Sequence, residues 1–289
     1  MNPTRSFLPF YNNLIRRLSK GRGYGKNKFV RKILLFFDWI FRDEFVNVHG
    51  HKMHLPPKGF SAYSTSGIYG ELDTFTVESI VKKGDYVLDI GAAIGYYTLI
   101  LRRAVGDSGK VFAFEPKQDR FRFLKENLQL NKYDNVETKN AAIFPKNIQP
   151  KFFKSIGPKG GLRHLEKNSD SHIAVDIETI DLDSFFKSDK IKEKISFIKI
   201  DVDGSELYVL QSALSILKNN RLNLFIEWDP EASINSGCDP KEIIEILISN
   251  NFIIFYPDYK NKNYFEINPT ELLSRKSENT INLLCKKME

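Results

Sequence analysis

The most readable chemistry in this chain begins with a carboxylate and two glycines. The run Asp89-Ile-Gly91-Ala92-Ala-Ile-Gly95-Tyr96-Tyr97 follows a short apolar strand, Tyr86-Val-Leu-Asp-Ile. Glycines there let a backbone approach a ligand closely, and the turn that opens the next helix presents unbonded N–H groups. The spacing lacks the middle glycine of G-x-G-x-x-G, so the dinucleotide fingerprint fails. Asp89 would repel a pyrophosphate at this place, whereas a cationic ligand end would suit it. A second strand, Lys110-Val-Phe-Ala-Phe-Glu, ends on Glu115 and Pro116, where a carboxylate can accept both hydroxyls of a ribose. Further acids end later strands: Asp201, Asp203 and Glu206 follow Phe197-Ile-Lys-Ile, and Glu227 closes Leu222-Asn-Leu-Phe-Ile.

Strands and helices alternate from Tyr86 onward. Tyr97, Ile100, Leu101 and Ala104 form a helical face that Gly106 ends, and Phe121, Leu124 and Leu128 mark the next helix. Val136 to Ala142 reads as a third strand, and Leu207, Leu210, Leu214 and Leu217 read as one stripe of a helix after the fourth. Asp239-Pro-Lys-Glu is an N-cap signature, with Ile243, Ile244, Leu247 and Ile248 as the buried face behind it. Phe252 to Tyr256 and Ile281 to Cys285 supply two last strands. Unbroken apolar strands between helices imply an α/β fold with a doubly wound, mostly parallel sheet of seven strands. In such sheets ligands sit at the carboxyl ends of the strands, where strand order reverses. Phe144 to Ser184 breaks the alternation and reads as an insertion near that crevice, with His172 to Thr179 as a strand.

Three ordered motifs, Asp89 to Thr98, Val111 to Pro116 and Phe197 to Glu206, together with Glu227-Trp228, resemble the FkbM-type methyltransferases. The similarity covers roughly residues 46–257, from His49-Gly-His-Lys-Met through Ile68-Tyr69. It implies a class I, Rossmann-like methyltransferase domain that uses S-adenosylmethionine. By that resemblance Asp89, Gly91, Ala92, Gly95, Tyr96, Tyr97 and Thr98 belong to the cofactor site, with Asp89, Gly91 and Gly95 at the methionine part. Glu115, beside Pro116, would take the ribose hydroxyls; Asn140, Ala141 and Ala142 would lie beside the adenine, and Asp201 next to the reacting methyl group. The chain departs from the family pattern at three places. Ala93 or its neighbour stands where asparagine is usual, Tyr69-Gly70 where Tyr-Glu is usual, and Asp203-Gly204 where Glu or Gln precedes the glycine. The implied reaction is O-methylation of a sugar hydroxyl on a glycan or glycosylated metabolite. A sugar hydroxyl needs a base to take its proton, and the candidates are Asp201, Asp203, Glu206 and Glu227. Trp228, Tyr69 and Tyr63 are placed in sequence to stack on a sugar face. The acid cluster lacks the spacing of a calcium loop, and no metal is expected.

The chain has 289 residues, 42% apolar and 27% charged, which is globular composition. Two cysteines, Cys238 and Cys285, are too few for a disulfide framework, so a reducing, cytoplasmic setting is expected. Nine of the 43 basic residues precede Asp38, the first acidic residue; the rest of the chain holds 34 basic against 36 acidic residues. The net charge of +7 therefore resides in the leader, which argues against a specific nucleic-acid partner. Residues 1–45 read as a basic helical extension and 46–289 as the catalytic domain. Phe29, Ile33, Phe36, Phe37, Ile40 and Phe41 recur at helical spacing, to pack on the main domain or to touch an anionic inner membrane surface. Phe45-Val-Asn-Val and Lys52-Met-His-Leu read as a hairpin around Gly50, with His49, His51 and His54 exposed on a small sheet. Two other functions fit parts of the pattern: a nicotinamide-dependent oxidoreductase, and a membrane-associated binding protein without catalysis.

Overall fold

The computed structural model describes residues 45–56, 68, 70–155, 162–163, 172–275 and 280–288. The leader helix, Tyr63 and Tyr69 lie outside them. The described residues fall into two compact units: 45–71 with 129–132, and 72–128 with 133 onward.

The first unit holds a hairpin, β1 (Phe45–Val48) and β2 (His51–His54), paired antiparallel with Val48 opposite His51. His49 and Gly50 make its turn, both at positive φ (48° and 84°), the mirror-image turn that matches strand twist. The histidines are not all exposed as expected. His51 is buried because it shares the inward face of β2 with Met53. Among the described residues, no group of histidine, cysteine or acidic side chains could hold a metal ion.

The second unit is built on one eight-stranded sheet. Its strands are β3 (Tyr86–Ile90), β4 (Lys110–Phe114), β5 (Val136–Lys139), β11 (Ile195–Ile200), β12 (Asn223–Trp228), β13 (Phe252–Asp258), β14 (Asn263–Glu266) and β15 (Ile281–Lys287). The spatial order is β14-β13-β15-β12-β11-β3-β4-β5. Five strands, β5 to β12 in that order, run parallel, and β15 enters antiparallel to β12. The chain moves outward from β3 to β5 and returns to β11 on the other side of β3, so strand order reverses between β3 and β11. The sheet carries one strand more than the sequence pattern suggests. The extra one, β14, pairs with β13 at the edge, and its short, mostly exposed run gives no buried pattern to read.

Helices α1 (Glu71–Ile80), α2 (Tyr96–Val105), α3 (Gln118–Leu130), α6 (Glu206–Gln211) and α8 (Pro240–Ser249) accompany the sheet. Shorter ones are α4 (Leu182–Phe185), α5 (Asp189–Lys192), α7 (Pro230–Asn235) and α9 (Pro269–Ser274). Asp239 caps α8 by accepting from the Lys241 N–H, as its signature predicts. Ile243, Ile244 and Leu247 are buried there, but Ile248 is exposed because it falls beyond the arc those three cover. The leucine stripe after β11 is likewise not one helix. α6 stops at Gln211, a turn of 3₁₀-helix at Ile216–Lys218 follows, and Leu214 between them faces solvent. The third expected strand divides into β5 and β6 (Ala142–Ile143).

The insertion forms a three-stranded antiparallel sheet of β7 (Phe152–Ser155), β8 (Leu162–Arg163) and β9 (His172–Val175). After it, β10 (Thr179–Ile180) pairs parallel with β6. Phe144 stacks on Tyr208 of α6, with ring centroids 5.0 Å apart, and meets Phe152 edge-on. The insertion thus packs beside the helix that follows the acidic loop. No helix of the described residues is long and apolar enough to cross a membrane.

Candidate functional site

The loops leaving β3, β4 and β11 converge at the reversal point. Asp89 is fully buried, and its Oδ2 accepts a 2.5 Å hydrogen bond from the Thr98 hydroxyl. Its other oxygen, Oδ1, has no hydrogen-bond partner among the described residues; the Lys199 ammonium stands 3.8 Å away. Burial pushes the Asp89 pKa up, against the opposing pull of Lys199 and Thr98. Gly91, at φ +81°, is needed because a Cβ there would lie 1.8 Å from the Asp201 carbonyl oxygen. Gly95 begins α2 at φ +95° and leaves its first turn without a side-chain cap. The helix-opening N–H groups therefore face the loop.

Glu115 is buried at the end of β4. Its Oε2 accepts from the Ala93 N–H and its Oε1 from the Lys117 N–H, both at 2.8 Å. Those two bonds fix the carboxylate plane and leave a further lone pair on each oxygen. Burial raises the Glu115 pKa, while the Lys117 N–H and the charges of Arg120 and Lys117 oppose the rise. Asn140 donates to the carbonyls of Glu115 (2.8 Å) and Pro116 (3.1 Å), locking the turn from behind. Ala141 and Ala142 are buried beside it.

The acidic loop is folded around Glu206. That side chain is buried, and its Oε1 accepts from the N–H groups of Val202 (3.1 Å) and Gly204 (3.2 Å). Burial pushes its pKa up to about 7. Of the four candidate bases, Glu206 is thus committed to the loop's own backbone. Asp203 turns outward at φ 55° and pairs with Lys117 at 3.3 Å. Asp201 pairs with Lys199 at 3.1 Å, with its carboxylate 41% exposed. Glu227 lies on β12 near these acids; burial, then the Asp201, Glu206 and Asp203 carboxylates, raise its pKa. All four candidates are brought together.

Other expected residues act more indirectly. Thr98 reaches the site only through Asp89. Tyr96 shares a 2.9 Å hydrogen bond with Thr74, and the Tyr97 ring lies under the Lys199 ammonium, 5.0 Å from it. Both tyrosine rings are buried. The sequence reading missed Lys199, although a lysine inside the apolar run Phe197-Ile-Lys-Ile was a visible signal. It also missed Asp73 on α1, which accepts from Tyr264 (2.7 Å), Asn282 (2.9 Å) and Tyr259 (3.3 Å). Asn282 stands opposite Glu227 in the β12–β15 pairing, so that brace adjoins the acid group. No local motif marks Asp73, because its partners come from the far end of the chain.

The model of the FkbM methyltransferase domain matches residues 89–254, more than half of the chain. The chain belongs to the FkbM methyltransferase family. A second model, of protein-L-isoaspartate (D-aspartate) O-methyltransferases, matches residues 12–142. A methyltransferase of Sordaria araneosa, sdnD, is 26% identical over 214 residues, covering 63% of this chain and 80% of that protein. Among solved structures, an rRNA methylase of Streptococcus thermophilus is 12% identical, with TM-score 0.41, covering 75% of this chain and 95% of the other. Fibrillarin of Aeropyrum pernix, solved with natively bound S-adenosyl-L-methionine, is 11% identical with TM-score 0.40, covering 74% and 73%.

The FkbM family's methyl donor is S-adenosylmethionine, and the residues present fit it. The donor carries an ammonium, a sulfonium and a ribose diol. Asp89 offers a buried carboxylate oxygen without a hydrogen-bond partner for a cation, and Glu115 has lone pairs left for two hydroxyls. Gly91 and Gly95 keep the loop between them free of side chains at its closest points. The same Asp89 opposes a pyrophosphate, which argues against the nicotinamide reading.

Proposed function

We propose that this FkbM methyltransferase O-methylates a sugar hydroxyl on a glycan or glycosylated metabolite. The observation that carries the reading is the group of four carboxylates at the ends of β11 and β12. Asp201 and Asp203, the exposed members of the group, can accept hydrogen bonds from a hydroxyl-rich acceptor. Asp89, Gly91 and Gly95 hold the methionine end of the cofactor, and Glu115 accepts from its ribose. S-adenosylmethionine supplies an activated methyl group, so the protein's task is alignment and removal of one proton. Asp201 is the carboxylate placed for that proton: it is open to the crevice and held by Lys199. Glu227 retains its own proton through burial beside other acids, and it can donate a hydrogen bond to an acceptor oxygen.

The test is transfer of labelled methyl from S-adenosylmethionine to panels of saccharides and glycosides, small carboxylic acids, amines and RNA. Label in a base-stable ether on a sugar is the expected result. Label recovered only in RNA, in an amine, or in a base-labile ester overturns the acceptor class. In the same assay, Asp201→Asn should lower turnover at least about a hundredfold while retaining binding of S-adenosylhomocysteine, which carries no sulfonium.

A further inference from the structure

Lys199 is the only lysine or arginine fully buried among the described residues. It sits on β11 between Ile198 and Ile200, in register with Asp89 of β3 and Phe225 of β12. Its ammonium is 3.1 Å from Asp201 Oδ2, 3.8 Å from Asp89 Oδ1 and 5.0 Å from the Tyr97 ring centroid. A buried ammonium is costly unless carboxylates face it, and here two do, Asp89 from the adjoining strand β3 and Asp201 from the end of β11 itself. The trio therefore carries one net negative charge, on the side of the sheet where the β3 and β11 loops meet.

We propose that Lys199 is a positioning residue that sets the site's preference between the sulfonium form of the cofactor and its thioether product. The inference rests on the reading above that the Asp89–Gly95 loop holds the methionine end. S-adenosylmethionine and S-adenosylhomocysteine differ by one methyl and one positive charge at sulfur. Asp89 and Asp201 attract that charge, and Lys199 opposes it. With the lysine present, both carboxylates are held in place and their pull on the sulfonium is partly cancelled. Without it, nothing offsets the pull of the carboxylates on a bound cation: Asp201 keeps a partly solvent-screened charge, and buried Asp89 keeps its charge only while a cation faces it. The neutral product feels little of this change.

The experiment is calorimetric titration of the full chain with S-adenosylmethionine, S-adenosylhomocysteine, and the amine analogue that carries C–NH3⁺ in place of the sulfonium. Wild type, Lys199→Met and Lys199→Arg are compared. The ratio of the homocysteine Kd to the methionine Kd should rise at least about tenfold in Lys199→Met. It should stay within about threefold of wild type in Lys199→Arg, which keeps the charge. The amine analogue should follow the sulfonium, since it shares the charge; an analogue that follows the neutral thioether instead overturns the inference. Should Lys199→Met fail to fold, Lys199→Gln gives the same reading, because its side chain is polar and uncharged. An unchanged ratio in a neutral variant that binds both ligands overturns the role of Lys199. Wild-type protein that binds none of the three overturns the placement of the cofactor itself, a distinguishable failure.

Discussion

Gly91 and Asp201 meet main chain against main chain, so that a Cβ on Gly91 would stand 1.8 Å from the Asp201 carbonyl oxygen. The Asp201 N–H donates to the Ile90 carbonyl at 3.0 Å, tying the same two loops one residue earlier. This contact brings the carboxylates of two strands to one point. Gly91→Ala should therefore damage both loops, through left-handed strain at φ +81° and through the overlap. The expected destabilisation is about 3 kcal/mol or more, with cofactor affinity reduced beyond detection. Urea unfolding and calorimetry check both, and an alanine variant that binds normally would refute the contact.

Glu115 is held by two backbone N–H donors, so its oxygens cannot be exchanged for a nitrogen without conflict. Glu115→Gln places an NH2 against either the Ala93 or the Lys117 N–H and leaves one donor unpaired. The loss should be about 1–3 kcal/mol of stability. On the proposal that Glu115 accepts from the ribose, cofactor affinity should fall by at least about tenfold. Isothermal titration of S-adenosylhomocysteine measures the second effect, and a Kd within twofold of wild type would remove Glu115 from the ribose site.

The parts of this molecule that were legible in the sequence are those whose causes are local. Asp89 near the end of β3, Gly91 and Gly95 after it and Glu115 after β4 all stand at the carboxyl ends of short, mainly apolar strands, and the loops that hold them do converge. The cap at Asp239 is likewise complete within four residues. What was not legible depends on distant partners. Asp73 is satisfied by Tyr259, Tyr264 and Asn282, about two hundred residues later. Glu206 looks like a free acid in the sequence, yet its bonds to Val202 and Gly204 arise only once the loop turns through Asp203 and Gly204. The break after α6 also escaped the pattern, because Leu214 keeps helical spacing although the chain has left the helix.

Ala93 occupies the left-handed region at φ 49°, where a residue with a Cβ is strained and asparagine is better tolerated. Its N–H, not its side chain, serves Glu115. Ala93→Asn should keep that bond, relieve part of the strain and raise stability by about 0.5–1 kcal/mol. That corresponds to roughly 1–4 °C in the melting midpoint for a domain of this size. A lower midpoint in thermal melting would show that the surrounding packing, rather than backbone strain, governs this position.

Glu206 makes stability depend on pH with a sign opposite to that of a salt-bridged acid. Its pKa is about 7 in the fold, against an ordinary 4.5. Below the lower value the group is protonated in both states and contributes nothing. Between the two values the unfolded chain has lost the proton while the fold retains it, so stability falls as pH rises. By about pH 7 the loss is complete, roughly 3 kcal/mol. Glu206→Gln keeps a carbonyl oxygen to accept from the Val202 and Gly204 N–H groups and does not titrate. The variant's stability relative to wild type should therefore improve by about 2.5 kcal/mol between pH 5 and pH 8, since a small part of the loss has already occurred at pH 5. Urea unfolding of both proteins at the two pH values gives the difference directly, and parallel profiles would mean that Glu206 is already ionised in the fold at pH 5.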